Sequence, residues 1–314
     1  MDQPGSTSLV SSDSPLWTLA FDHRNSFRRT FFGITGTPTA EQDERCRRAK
    51  GVIFDGALMA VTDGIQVGRA AVLVDEEYGA DVIRRAREHG IATAVPVEAS
   101  GRAELAFDHG DDLFGPAIER VQPTYAKVLV RYNPDGDAEL NTRQRLRLAS
   151  LQHWVVEHGR QWMLELLVPP TPTQLGAVGD DIARYDDELR PGLSVRAAQE
   201  LTGACLAPDL WKLEGMAASS QYAEIAAACG ADGLASACLV LGRGADEAAV
   251  DRWLSLAAPV RGFAGFAVGR TLWWEPLRSF VSGEASAPAA AAMIAGNYRR
   301  LIGVYAAARP HGSC

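Results

Sequence analysis

The sequence lacks the features that mark several large functional classes. No run of 18 apolar residues occurs in its 314 positions, so no transmembrane helix is expected. Residues 1–15, MDQPGSTSLVSSDSP, have neither the basic start nor the apolar centre of a signal peptide and read as a disordered lead-in. Cysteine is scarce: Cys46, Cys205, Cys229, Cys238 and Cys314 are scattered, odd in number and without a CxxC pair. This argues against a disulfide framework or a zinc ribbon and fits reduced thiols in a cytoplasmic protein. HxH and HExxH spacings are missing, so no catalytic metal is expected. GxGxxG after the first strand and GxxxxGK[ST] are missing too, which removes the usual marks of nucleotide cofactors. There is no basic excess. A net charge of −8 argues against nucleic-acid or anionic-membrane partners. The local runs RRAREHG and RQRLRL then read as solvated helix faces.

What is present is a 47% hydrophobic chain, enough to bury one large core. Eight strand-like runs alternate with helical patterns, at 17–24, 70–78, 91–100, 125–133, 162–170, 209–216, 236–244 and 262–270. Helix candidates such as ADVIRRAREHG and NTRQRLRLASLQHWVVEHG end at Gly, a common C-terminal cap. Eight βα units favour an α/β class (β/α)₈ TIM barrel over a doubly wound sheet. Neither a repeat nor a linker interrupts them, so residues 16–310 read as one domain. The stretch 171–207 is long for one crossover and predicts two helices with a turn at RPG.

In such a barrel, chemistry is built at the C-terminal strand ends. Alternate strand residues share a face. Asp22, Asp75, Lys127, Glu165 and Lys212 all carry the inward parity on five strands, while residues such as Val128, Leu164, Trp211 and Leu213 face outward. Arg131 shares the face of Lys127, and Glu214 that of Lys212. A structural ion-pair network is the alternative reading, but buried charge pairs often cost more than apolar packing returns. A lysine near a second cation in an apolar setting has its pKa pushed down from about 10.4, so its amine can attack a ketone. The carboxylates supply proton transfer. This is class I aldolase chemistry. Gly242-Arg243 and Gly269-Arg270 place Gly-Arg at the ends of strands 7 and 8, where this fold binds phosphate. His23, beside Asp22, is a candidate substrate contact but points outward by parity unless the strand has ended before it, and Asp108–Asp112 reads as a solvated loop.

The motifs LAFDHRNSF, LVDEEYG, AKVLVRYNPD, LELLVPP, WKLEG, LGRGAD and GFAVGRT, in this order, resemble the DUF2090 family over nearly the whole chain. That family occurs as the aldolase-like C-terminal half of fused inositol-catabolism kinase/aldolase proteins, and it is similar to tagatose-1,6-bisphosphate aldolases. The resemblance implies Lys212 as Schiff-base lysine, Glu165 and Asp22 as acid/base groups, Lys127 as a second active-site lysine and Arg270 as a phosphate contact. Arg24 falls within the same motif as Asp22, although His23-Arg24-Asn25 replaces the Gln-Arg-Gly of tagatose enzymes, and Gly215 stands where proline is commoner. The implied activity is a carbon–carbon lyase acting without a cofactor on a small-molecule phosphosugar, as a monomer or homo-oligomer. The implied substrate is 2-deoxy-5-keto-D-gluconate 6-phosphate, cleaved to dihydroxyacetone phosphate and malonate semialdehyde. Tagatose 1,6-bisphosphate, a sulfo-sugar phosphate and a non-catalytic phosphosugar-binding barrel are the alternatives.

Overall fold

The structure, a computed structural model, describes residues 10–11, 13–231 and 236–309. Most of the lead-in, residues 1–9 and 12, and Cys314 lie outside the described residues. Eight parallel strands close into a barrel in chain order: β1 (Leu16–Ala20), β2 (Ala70–Leu73), β3 (Ala92–Pro96), β4 (Tyr125–Arg131), β5 (Gln161–Leu167), β6 (Leu210–Leu213), β7 (Ala237–Leu241) and β8 (Phe263–Val268). Around it run α1 (Asn25–Phe32), α2 (Ala40–Thr62), α3 (Glu76–Glu88), α4 (Phe114–Val121), α5 (Ala138–Glu157), α6 (Pro172–Ala177), α7 (Ile182–Arg184), α8 (Arg190–Gly203), α9 (Ser219–Ala228), α10 (Glu247–Ala257), α11 (Arg270–Ser282) and α12 (Ala287–Ala308). This is the (β/α)₈ barrel expected from the strand count. No helix among the described residues is long and apolar enough to cross a membrane.

Strand parity divides the core in two. Leu16, Tyr125, Met163, Leu210 and Leu239 pack inside the barrel, whereas Trp17, Leu19, Val72, Val128, Leu164 and Trp211 pack outward under the helices. On β6 the outward Trp211 and Leu213 are buried. Leu213 alone contributes about 1.5–3 kcal/mol, which helps seat a strand that carries an inward ammonium. Thr39 forms a reciprocal capping box with Gln42 at the start of α2, and Asp246 caps α10.

Every strand ends two to five residues before the reading from sequence places its end. The apolar alternation continues past the last ladder bond, but the chain must leave the barrel to begin each helix. The 171–207 stretch also differs from its two-helix expectation. It holds α6, α7, a π-helical turn at Tyr185–Leu189 and then α8, and Pro191 sits in the first turn of α8 instead of in a bend between helices. The π-helical turn runs straight into α8, with the Arg190 N–H donating to the Tyr185 carbonyl.

Candidate active site

The ladder decides which charges meet. Glu165 of β5 lies abreast of Lys212 on β6 and of Leu129 on β4, with Lys127 one inward position below Leu129. All three ionisable side chains reach the C-terminal mouth of the barrel. Lys127 Nζ lies 2.8 Å from Glu165 Oε2, and Lys212 Nζ lies 2.9 Å from Glu165 Oε1, so one carboxylate bridges the two lysine nitrogens. Lys127 also donates to Asp22 Oδ2 at 3.1 Å and to Glu98 Oε1 at 2.6 Å. Its three N–H donors therefore face three carboxylates.

This geometry separates the ionisation of the groups. Burial opposes the charge on Lys127, but Asp22, Glu165 and Glu98 more than reverse that and raise its pKa well above the ordinary lysine value. Lys127 stays an ammonium ion. Burial would also raise Asp22 and Glu165, yet Lys127 and Lys212 hold both below the usual carboxylate range. Glu98 goes the other way, because burial outweighs the pull of Lys127. Carboxyl groups pushed apart in this manner supply a base and an acid from one site.

The cluster opens into a cavity of about 660 Å³. Seven Lys and Arg residues line it against three Asp and Glu, in a chain whose net charge is −8. Carboxylates outside the lining set engage two of the arginines. Arg24 pairs with Asp108 at 2.6 Å and donates to the Glu98 carbonyl at 2.6 Å, and Arg243 meets Asp186 at 2.5 Å and Glu214 at 3.3 Å. Among the described residues, Arg29, Arg131 and Arg270 have no carboxylate partner. The cavity wall thus carries an excess of positive charge.

At the β7–β8 end the backbone makes room for that charge. Arg270 opens α11 and donates from Nη2 to the Arg243 carbonyl at 2.9 Å. Gly244 lies beneath it with φ +76°, and a Cβ there would collide with the Arg270 guanidinium. Gly269 passes so close to the Ala20 carbonyl that a Cβ would strike it. Gly242 lines the cavity against Val268.

Asp75 is a correction to the site expected from sequence. β2 ends at Leu73, so Asp75 leaves the inward face and caps α3 by accepting from the Tyr78 N–H at 2.9 Å. Its carboxylate pairs with the buried Lys50, and it does not line the cavity. Glu214, one residue past the end of β6, likewise leaves the face it shares with Lys212 by parity and partners Arg243 and the Val168 N–H. β1 has ended at Ala20, so parity does not hold His23 outward, and it lines the cavity with its ring edge-to-face on Trp273. Burial lowers its pKa to about 4, so the ring is neutral at pH 7. Asp108 is also tied to Arg24, not simply solvated. Sequence reasoning missed Glu98, although it shares the parity of Ala94 and Pro96, which was a usable signal. Lys50 gave none: in RRAKGVIF it looks like any surface lysine.

A family model described as an uncharacterized protein conserved in bacteria, DUF2090, matches residues 6–309. The chain belongs to the DUF2090 family. No curated protein matches it. Among solved structures, the DUF2090 chain is similar to fructose-bisphosphate aldolase from Plasmodium falciparum, at 13% identity and TM-score 0.64, covering 98% of this chain and 94% of that one. Fructose-bisphosphate aldolase from Slackia heliotrinireducens is similar at 14% identity and TM-score 0.56, covering 92% and 89%. A Corynebacterium glutamicum protein gives 16% identity and TM-score 0.56, covering 93% and 88%. At these identities the likeness concerns the fold alone, the closed eight-stranded barrel.

Proposed function

We propose that this DUF2090 chain is a class I aldolase acting on a keto sugar phosphate. One observation carries the reading. Lys212 is buried on β6, opens into a cation-rich cavity, and rests its Nζ against a carboxylate held ionised at 2.9 Å. Lys127 is pinned by three carboxylates and Lys212 touches one, so Lys212 is the lysine placed to attack.

The favoured substrate is 2-deoxy-5-keto-D-gluconate 6-phosphate. Lys212 adds to the C5 ketone, and the carbinolamine loses water with Glu98 as proton donor. The protonated imine draws electrons. Asp22 or Glu165 takes the C3 hydroxyl proton, the C3–C4 bond breaks, and malonate semialdehyde leaves. The enamine gains a proton at C4, and hydrolysis of the imine frees dihydroxyacetone phosphate and Lys212. Arg270, after β8, suits the phosphate. Arg131 ends β4, four strands away on the opposite wall, and suits an anion at the aldehyde end. Because an arginine accepts carboxylate, sulfonate or phosphate there, tagatose 1,6-bisphosphate or a sulfo-sugar phosphate is the second reading.

The test is to incubate the protein with dihydroxyacetone phosphate and borohydride, then map the adduct by mass spectrometry. A reduced adduct on Lys212 supports the reading, and a ketose phosphate panel then ranks substrates. Absence of adduct together with chelator-sensitive lyase activity overturns it. Absence of both adduct and lyase activity favours a phosphosugar-binding barrel.

A further inference from the structure

Asp22 stands on Phe21–Arg24, a segment between β1 and α1 without regular structure. One backbone bond ties its start to the barrel, from the Phe21 N–H to the Leu73 carbonyl at 2.7 Å. Beyond that, the segment is held from below by a side chain. Lys50 of α2 is wholly buried and does not line the cavity. Its Nζ donates to the Phe21 carbonyl and to the His23 carbonyl, both at 3.0 Å. These are the two carbonyls that flank Asp22. The third direction is taken by the Asp75 carboxylate, whose Oδ2 simultaneously accepts from the Tyr78 N–H at the start of α3. Burial draws the Lys50 pKa down to about 7, and in its charged form the ammonium has three N–H donors, all three of them matched. The rings of Phe27 and Tyr78 lie 5.2 and 5.7 Å from Nζ and face the same charge.

A buried charge with three directional partners does what an apolar side chain of equal volume does not. It fixes the two peptide planes on either side of one residue, since each carbonyl must point at Nζ or lose its partner. We propose that the Lys50–Asp75 pair is the positioning device of this site, setting the peptide on both sides of Asp22 so that its carboxylate meets Lys127. Lys50 and Asp75 touch no reacting atom and act through Asp22, and through the neighbouring His23 and Arg24 on the cavity wall. The assignment rests on the aldolase reading for its kinetic readout only.

The experiment compares wild type, K50M, D75N, D22N and K50M/D22N. Turnover is expressed per site that borohydride can trap at Lys212, which removes misfolded protein from the count. K50M is expected to lower kcat per trappable site by at least about 10-fold while KM moves less than about threefold. K50M/D22N is expected to be no slower than D22N, because both changes act on one carboxylate. A wild-type kcat for K50M, or effects of K50M and D22N that multiply, overturns the proposal. If K50M does not fold, D75N keeps the shape and a capping oxygen at that position and removes the charge. It is expected to lose about 3–10-fold in kcat with the same non-additivity, and a wild-type kcat for D75N overturns the proposal. Hydrogen exchange supplies a readout independent of activity. In K50M or D75N, amides of residues 21–25 exchange at least about 10-fold faster, while those of β6 do not. Unchanged exchange at 21–25 overturns the proposal even if wild type forms no adduct, the outcome that would count against the aldolase reading alone.

Discussion

Replacing Lys127 with methionine removes the one ammonium ion that faces Asp22, Glu98 and Glu165 together. Methionine fills much of the same volume, so the main loss is electrostatic. Removing one partner of a buried ion pair costs about 3–5 kcal/mol, because the remaining charge is left without compensation. For a chain of this size that corresponds to a fall in Tm of roughly 5–8 °C. The pH dependence gives the sharper test. In the wild type, Asp22 and Glu165 are held below their unfolded values, so their stabilisation is present at neutral pH and is lost as acid protonates them. In K127M only Lys212 remains against three buried acids, and burial raises their folded pKa values above the unfolded ones. A group raised in this way stabilises below its unfolded pKa of about 4 and loses that contribution as pH rises. The K127M deficit must therefore be largest near about pH 8 and shrink toward about pH 5. Thermal unfolding followed by circular dichroism at both pH values measures it, and K127M/E98Q should recover part of the loss. A K127M protein melting within about 2 °C of wild type at the higher pH, or a deficit that grows on acidification, would refute the reasoning.

Four further outcomes follow from the same geometry. K212R keeps a cation beside Glu165 but cannot form an imine, so the borohydride adduct disappears and turnover falls by at least about 10³-fold, read by mass spectrometry and a coupled assay. R270Q removes the arginine without a carboxylate partner at the β7–β8 end; KM for a phosphorylated ketose should rise about 10–100-fold with kcat within about threefold. G244A drives a Cβ into the Arg270 guanidinium and places alanine at φ +76°, so steady-state kinetics should show the R270Q pattern, and thermal melts a stability loss of about 1–2 kcal/mol. Glu98, raised by burial, works as an acid only while protonated, so activity falls as pH rises through its pKa; E98Q should lower kcat and remove that alkaline limb from the pH–rate profile.

The sequence by itself carried the barrel and the heart of the site. Period-two alternation states which face of a strand is apolar, and on β4, β5 and β6 that put Lys127, Glu165 and Lys212 on the inner face. Closing the barrel then had little freedom left, because the ladder sets Glu165 abreast of Lys212. The same rule would have found Glu98, had its parity with Pro96 been followed past the proline. Parity fails where the strand stops. Nothing local distinguishes Asp75 as a lumen acid from Asp75 as a helix cap, since the choice depends on where β2 gives up its last ladder bond. His23 turns toward the cavity for the same reason. Arg243 and Arg270 look alike as Gly-Arg pairs, yet Asp186 and Glu214 converge on one and leave the other without a carboxylate partner. Lys50 is the extreme case, a helical lysine whose three acceptors come from two other loops. Its role exists only once α2, the segment after β1 and the start of α3 are packed together, because a buried charge is defined by the groups that surround it.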